Sequence, residues 1–150
     1  MPQSLSSILV HLVFSTKHRE SLITSDVESA LHAYLSGILK AKSRPALTIG
    51  GMPDHVHILF QLARTAAISD VVEDLKKDSS LWIKTRGAAF GGFYWQTGYG
   101  AFSIGQSNVE NTREYIDNQK THHMTRTFQD EYRAFLRKYS VEFDERYVWD

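Results

Sequence analysis

Short apolar runs bounded by turn residues mark four predicted β-strands. The first covers 8–15, where the sequence ILVHLVFS is apolar except for one histidine and the final serine. The second and third, 46–50 and 54–61, are separated by Gly-Met-Pro, which is typical of a tight hairpin. A loop rich in glycine and aromatic residues precedes the fourth, near 101–105. Runs of this length favour strands of a packed sheet.

Elsewhere, apolar residues recur every three or four positions, the spacing of an amphipathic helix. In the first such segment Ser25 is the predicted N-cap, with Glu28 three residues later as in a capping box. Ser69 is the predicted N-cap of the second, and Gly87 lies just past its end. The predicted helices cover 25–42, 69–86, 107 or 108 to about 123, and 127 to about 139, the last capped by Thr127.

The order of these elements predicts the fold class. It is β-α-β-β-α-β followed by two helices, which indicates an α+β protein. The expected architecture is a ferredoxin-like or RRM-like split βαβ sandwich with an antiparallel sheet and additional C-terminal helices. The sequence contains no internal repeat, low-complexity tract or linker, so residues 1–150 are predicted to form a single domain.

Composition narrows the function classes. The chain is 42% hydrophobic and 12% aromatic, which favours a globular protein. It contains no cysteine, which excludes disulfides and thiolate metal sites and fits a cytoplasmic location. No signal peptide is recognisable, and no run approaches the roughly 18 apolar residues of a membrane span. The balance of 17 basic and 17 acidic residues argues against unspecific nucleic-acid binding, for which a basic excess is usual.

Two histidines stand out in the third predicted strand, DHVHILF. Because side chains alternate across a strand, His55 and His57 share one face while Val56 points to the other. Such a pair fits half-exposed, hydrogen-bonded histidines as well as it fits a metal site. Tyr115 and Gln119 lie four residues apart in the third predicted helix, and therefore on one of its faces. Alone that pair is ordinary helix surface, but together the two pairs form a specific constellation.

On these residues the chain resembles the insertion-sequence transposases that carry an HUH motif and one catalytic tyrosine, a superfamily that includes the REP-associated tyrosine transposases. His55-Val56-His57, introduced by Pro53-Asp54, matches the HUH motif, in which the middle residue is bulky and apolar. Tyr115 and Gln119 match the family's tyrosine and the glutamine four residues later. The segments HLVFSTKHR and WQTGYGAFSI are also similar to family stretches.

The resemblance implies a DNA transposase that nicks and rejoins single-stranded DNA and recognises hairpins near element ends. It implies Tyr115 as the nucleophile, a homodimeric assembly, and Tyr115 of one subunit serving the histidines of the other. His55, His57 and Gln119 are the candidate metal ligands. Two imidazoles and one amide oxygen leave positions open on an octahedral ion. Imidazole favours manganese and cellular abundance favours magnesium, so both ions remain candidates.

The chemistry is physically reasonable. A tyrosine that attacks a phosphodiester keeps the bond energy in a covalent phosphotyrosine, from which DNA can be rejoined. A phenol with a pKa near 10 is ionised in only about one molecule in a thousand at neutral pH. A divalent ion offsets part of this difficulty because it neutralises charge at the reacting phosphate.

Three further residues are weaker candidates for DNA binding. His11 lies on the strand expected beside the one that carries His55 and His57. It is expected either to orient a metal ligand or the phosphate, or to be an ordinary packed histidine. Lys17 and Arg19 follow that strand and could bind phosphates, although such charge runs are usually solvated surface.

The aromatic loop at 87–100 bears on assembly. A solvent-exposed segment with so many aromatic residues would indicate an interface, which supports the homodimer. Trp95, Tyr99 and Phe102 could instead stack on unpaired bases, but packing in the core or at a dimer interface is the better account of most of them.

Two alternatives from other classes remain. One is a non-catalytic RRM-like nucleic-acid-binding module, which would display aromatic residues where this chain has histidines. The other is a metal-dependent hydrolase with water as nucleophile, for which Asp54 or Glu114 would be the base. The two enzyme hypotheses differ in whether Tyr115 is required.

Overall fold

Four strands form one antiparallel sheet in a computed structural model that describes residues 2–42 and 45–150. The strands are β1 (Leu9–Ser15), β2 (Ala46–Met52), β3 (His55–Gln61) and β4 (Gly100–Ile104). Their order across the sheet is β2-β3-β1-β4, and every neighbouring pair is antiparallel. The predicted strands and the α+β fold class are confirmed.

Helices flank the sheet. They are α1 (Ser25–Ala41), α2 (Ile68–Lys84), α3 (Val109–Asp117), α4 (Gln119–His122) and α5 (Phe128–Lys138). Thr127 caps α5 as predicted, since its hydroxyl accepts the Asp130 N–H at 3.2 Å. The other two predicted caps were wrong by one or two residues: Thr24 precedes α1 and Ala67 precedes α2, and neither side chain caps its helix. None of the helices in the described part of the chain combines the length and apolar character that crossing a bilayer requires.

The third predicted helix is two helices. Asn118 has φ −102° and ψ 23°, outside helical geometry, and separates α3 from α4. Asparagine competes with helical hydrogen bonding more than most residues, which favours a break at this position. Tyr115 therefore lies at the end of α3 and Gln119 at the start of α4, and the expectation that one helix carries both was wrong.

The sheet is covered on both faces, which explains why every residue of β1 is buried. Val10, Leu12 and Phe14 of β1 pack with the apolar faces of α1 and α2. The alternate residues of β1 and β3 face α3 and α5, where Leu9 and Val13 join two smaller apolar clusters. The second layer of helices places the face that carries His55 and His57 in the interior.

The aromatic loop before β4 belongs to the larger core. Phe90, Phe93 and Trp95 are 0–9% exposed, and the Trp95 indole donates to the Ser79 hydroxyl of α2 at 2.9 Å. Tyr94 is exposed. The expectation that this loop presents an exposed aromatic patch was therefore wrong, and it no longer supports a dimer interface.

Gly50 allows α3 to approach β2. A Cβ at this position would lie 2.2 Å from the backbone carbonyl oxygen of Ile116, one residue after Tyr115. We expect Gly50→Ala to lower the free energy of unfolding by about 1–3 kcal/mol, because α3 must move away from the sheet. Gly37→Ala is the matched control, since no atom lies within 4 Å of its Cβ in α1, and it should stabilise by about 0.5–1 kcal/mol. Urea unfolding measures both; equal effects would mean that α3 does not depend on this contact.

Candidate active site

His55 and His57 lie side by side on the covered face of β3. Their ring centroids are 5.1 Å apart, and both side chains are fully buried. The predicted shared face is confirmed, whereas the possibility that they are half-exposed does not hold. Burial lowers the pKa of His57, so its ring is neutral near pH 7. Neutral imidazole is the form that binds metals.

Neighbouring side chains orient both rings. His55 Nδ1 lies 2.7 Å from a carboxylate oxygen of Asp54, and His57 Nδ1 lies 2.8 Å from Nε2 of His11 on β1. His11 is 1% exposed, and burial lowers its pKa too, so it is a neutral partner that can donate or accept. These contacts direct the Nε2 atoms of His55 and His57 toward α4 and α5. Metal-binding histidines are usually held by their second nitrogen in this way.

Glu131 of α5 is the centre of the cluster, and the sequence analysis singled out neither Glu131 nor its neighbour His123. Its Oε1 lies 2.7 Å from His57 Nε2 and 3.5 Å from His55 Nε2, and the side chain is 1% exposed. Burial by itself would raise the pKa of Glu131, but His57 and the hydrogen bonds of His123 and Tyr115 lower it below its ordinary value. The buried carboxylate is therefore ionised.

Gln119 reaches the same cluster from α4. Its Oε1 lies 3.0 Å from His55 Nε2, and its Nε2 donates to Glu131 Oε2 at 3.1 Å. His123, one turn later, approaches Gln119 Oε1 at 3.1 Å and Glu131 Oε2 at 3.3 Å. Burial opposes protonation of His123, but the hydrogen bond and charge of Glu131 raise its pKa.

Tyr115 reaches the cluster from α3. Its hydroxyl donates to Glu131 Oε2, its ring centroid lies 5.9 Å from that of His57, and it stacks on His122 at 4.5 Å. Burial and the charge of Glu131 raise the pKa of Tyr115, so the phenol is protonated in this arrangement. Tyr115 meets the histidines of its own chain here, so this contact does not require a second subunit.

The donor set fits a divalent ion. His55 has an oxygen atom near each ring nitrogen, Asp54 at 2.7 Å and Gln119 at 3.0 Å, and an imidazole nitrogen without a proton can bind a metal. His55 Nε2 and Gln119 Oε1 are two of the atoms that would hold such an ion. One ligand atom from each of His55, His57 and Glu131 lies within 4.8 Å of the others. Imidazole, carboxylate and amide oxygen are all groups that bind divalent metal ions in proteins.

Comparison with known proteins identifies the family. Residues 4–119 match the family model described as Transposase IS200 like. The chain belongs to the IS200-like transposases. Its HUH motif, Tyr115 and Gln119 all lie within the matched residues, and the resemblance found in the sequence is confirmed. The family match does not favour the non-catalytic RRM-like module.

Individual relatives agree with this assignment. The chain is 26% identical over 114 residues to the ISDra2 transposase TnpA of Deinococcus radiodurans, covering 73% of this chain and 81% of that protein. A crystal structure of a Deinococcus radiodurans protein assigned as a transposase is similar with a TM-score of 0.62 and 24% identity, covering 79% of this chain and 98% of the other. A REP-associated tyrosine transposase bound to a REP hairpin is similar with a TM-score of 0.62 and 13% identity, covering 82% and 72%. The two structures show a shared fold.

The family match ends at Gln119, before α5 begins. Glu131 therefore lies outside the residues that match the family, although it is central to the cluster of this IS200-like transposase. A signal for it exists in the sequence: Glu131 is a carboxylate on the otherwise apolar face of α5 that carries Phe128, Tyr132 and Leu136. A charged residue on such a face is unusual unless it has buried partners.

The two basic candidates lie near the His55 end of the sheet. Lys17 and Arg19 belong to a 3₁₀ turn that follows β1, and the preceding Thr16 N–H donates to the Asp54 carbonyl at 2.8 Å. Lys17 is exposed, whereas the guanidinium of Arg19 lies 5.6 Å from the Trp149 ring centroid. Lys17 also lies near a ring, with its Nζ 5.9 Å from the Tyr94 centroid, and His11 is buried behind His57.

Proposed function

We propose that this IS200-like transposase nicks and rejoins single-stranded DNA through a covalent 5′-phosphotyrosine on Tyr115. One observation carries the proposal: Tyr115, Gln119, His55 and His57 come from three different elements and converge on Glu131 in the interior. A chance set of polar residues would not be buried together, because burying ionisable groups costs free energy unless they are paired.

The bonds to phosphorus change between Tyr115 and the DNA. The phenolic oxygen bonds to the phosphorus while its proton passes to Glu131, and the bond from phosphorus to the 3′-oxygen breaks, with the 3′-oxygen taking a proton from solvent water to become a 3′-hydroxyl. In the rejoining step a 3′-hydroxyl attacks the phosphotyrosine and Tyr115 is released as the phenol. Glu131 is the acceptor within reach of the phenolic proton.

The residues proposed to hold a divalent ion are His55, His57, Gln119 and Glu131, with Mg²⁺ or Mn²⁺ as the candidate. When bound, such an ion neutralises charge on the phosphate and orients it. Glu131 adds a negative charge to the ligand set expected from the sequence, which strengthens binding of a hard cation. His11 and Asp54 are positioning residues, because they touch the ligand rings on the far nitrogens.

We expect Mn²⁺ to raise the melting temperature of the wild-type protein and EDTA to reverse the rise, because an ion that binds only the folded state stabilises it. His57→Ala should suppress cleavage and shift the stabilisation to higher Mn²⁺ concentration, so that excess Mn²⁺ partly restores activity. His18→Ala removes an exposed histidine and is the control. A His57→Ala protein with the wild-type Mn²⁺ response would exclude His57 as a ligand.

The direct test of the function is covalent capture. The protein is incubated with single strands from both flanks of its own gene, labelled at the 3′ end so that the label stays on the fragment joined to Tyr115, and with Mn²⁺, then denatured in SDS. A labelled band at the mass of protein plus DNA supports the proposal. Cleavage without any adduct on either flank contradicts it and favours a water nucleophile.

Two finer features belong to the same proposal. The DNA is a single strand with a hairpin near the cleavage site, as supported by the REP hairpin bound to the structural relative. The assembly is a homodimer by family resemblance, and β2 and β4, the two edge strands of the sheet, are the strands that could pair between subunits. Sedimentation at micromolar concentration tests the assembly, and a single 17 kDa species would contradict it.

A further inference from the structure

A cavity of about 580 Å³ opens beside Tyr115. Its walls come from β4, α3 and α5, and Tyr115, His11 and Glu131 border its inner end. The volume is within the range of roughly 300–1,000 Å³ that is common for sites of small organic ligands. Since Tyr115 forms part of the wall, a group bound in the cavity lies next to the phenolic oxygen that the proposed function uses.

The cavity combines flat rings with side-chain amides. Phe135 and Tyr139 line one side and are only half-buried, although both also stack on Phe102. Asn108 and Asn111 line another side and are exposed. Aromatic rings stack on nucleobases, and an amide supplies both a donor and an acceptor, as the edge of a base requires. A phosphate could use only the donors.

Two positively charged side chains also line this cavity. Arg126 and Lys138 are exposed, and neither forms an ion pair with a carboxylate within residues 2–42 and 45–150. Cations beside a base-sized cavity suit the phosphates on either side of a bound nucleotide. The chain as a whole has no net charge, so this local pair is not the consequence of a basic surface.

We infer that this cavity binds one unpaired nucleobase of the DNA strand, beside the phosphate that Tyr115 attacks. The inference rests on the proposed function for the identity of the strand. A base in this cavity places its own phosphate against Tyr115, and it makes cleavage sensitive to the nucleotide at that position. Recognition of a base out of the stack by rings and polar edges is an established way to select a reacting site in nucleic acids.

The test compares strands with and without bases. Fluorescein-labelled dT12, dA12 and dC12 and an abasic 12-mer with the same phosphates are titrated with protein in EDTA, and binding is followed by anisotropy. We expect the wild-type protein to bind at least one base-containing strand about tenfold more tightly than the abasic strand, which is within the range of base–aromatic stacking.

Substitutions in the cavity test whether it causes the difference in affinity between base-containing and abasic strands. Asn111→Ala removes an amide, and Ala134→Phe fills the space, because Ala134 also lines the cavity. Both should reduce the difference to less than about threefold, while binding of the abasic strand stays within about twofold. Lys138→Ala should weaken all strands alike. Arg137→Ala removes a charge from the neighbouring position of α5, outside the cavity lining, and should leave the difference intact.

Equal affinity of the wild-type protein for base-containing and abasic strands would overturn the inference, as would a difference that persists in both cavity variants. If the covalent adduct forms and the base-dependent difference survives the variants, only the cavity assignment fails. If the base-dependent difference is lost in the variants but no adduct ever forms, the cavity assignment stands and the proposed function fails.

Discussion

Tyr115→Phe is expected to abolish the covalent protein–DNA adduct while folding and DNA binding persist. The substitution removes one oxygen, and with it the atom that bonds to phosphorus. Glu131 Oε2 retains its contacts with Gln119 and His123, so the lost hydrogen bond should cost about 1 kcal/mol or less. Adduct formation on labelled single strands, anisotropy binding and urea unfolding measure the three properties separately.

Tyr34→Phe is the matched control, because Tyr34 stacks on Trp82 in the other helical layer, remote from the cluster. It should form the adduct at the wild-type rate. No concentration of Mn²⁺ should rescue Tyr115→Phe, unlike His57→Ala. An SDS-resistant complex formed by Tyr115→Phe would assign the nucleophile to another residue, and strand cleavage without an adduct would indicate a metal-dependent hydrolase.

Glu131→Gln is expected to have the largest effect on both stability and metal binding. The substitution replaces one carboxylate oxygen, which accepts hydrogen bonds, with an NH₂ group, which donates them. Tyr115, Gln119 and His57 already donate to this side chain, so at least one of them loses its acceptor. We expect a loss of about 3 kcal/mol in the free energy of unfolding, as when one partner of a buried charged network is removed. The affinity for Mn²⁺, measured by calorimetry or electron paramagnetic resonance, should fall at least about tenfold.

Asp130→Asn tests whether these effects are specific. Asp130 precedes Glu131 in α5, and its side chain is 64% exposed in a salt bridge with Arg133. Breaking an exposed pair should cost less than about 1 kcal/mol and leave the Mn²⁺ affinity unchanged. If Glu131→Gln behaves like Asp130→Asn, Glu131 is neither a ligand nor the organising centre of the cluster.

Local patterns were sufficient to predict the sheet and the pairing of the two histidines. Alternation along β3 determines that His55 and His57 share a face, whatever lies above it. The neighbouring position of His11 followed from the predicted order of strands, because β1 and β3 are adjacent in this topology. The resemblance then connected Tyr115 and Gln119 to these histidines, which no periodicity could do.

The remaining features depend on tertiary packing. The sequence marks Glu131 as a carboxylate on an apolar helix face, but its partners could not be assigned because its contacts join α5 to β3 over 74 residues of sequence. Trp95 was expected in the core or at a dimer interface, and the sequence could not distinguish these two because the loop lacks a regular period. Trp95 and Phe93 both belong to the core. The break at Asn118 leaves the four-residue spacing of Tyr115 and Gln119 intact, so the sequence cannot distinguish one helix from two.

That break separates the mechanical roles of two neighbouring side chains. A DNA strand attached to Tyr115 would pull on α3, and α3 rests with its backbone against Gly50 of β2. Gln119 lies beyond Asn118, in the first turn of α4, with its own hydrogen bonds to His55 and Glu131. If DNA is attached to Tyr115 as proposed, the contact of α3 with Gly50 supports the tyrosine from the sheet, while Gln119 is also held by His55, a contact that Tyr115 does not share.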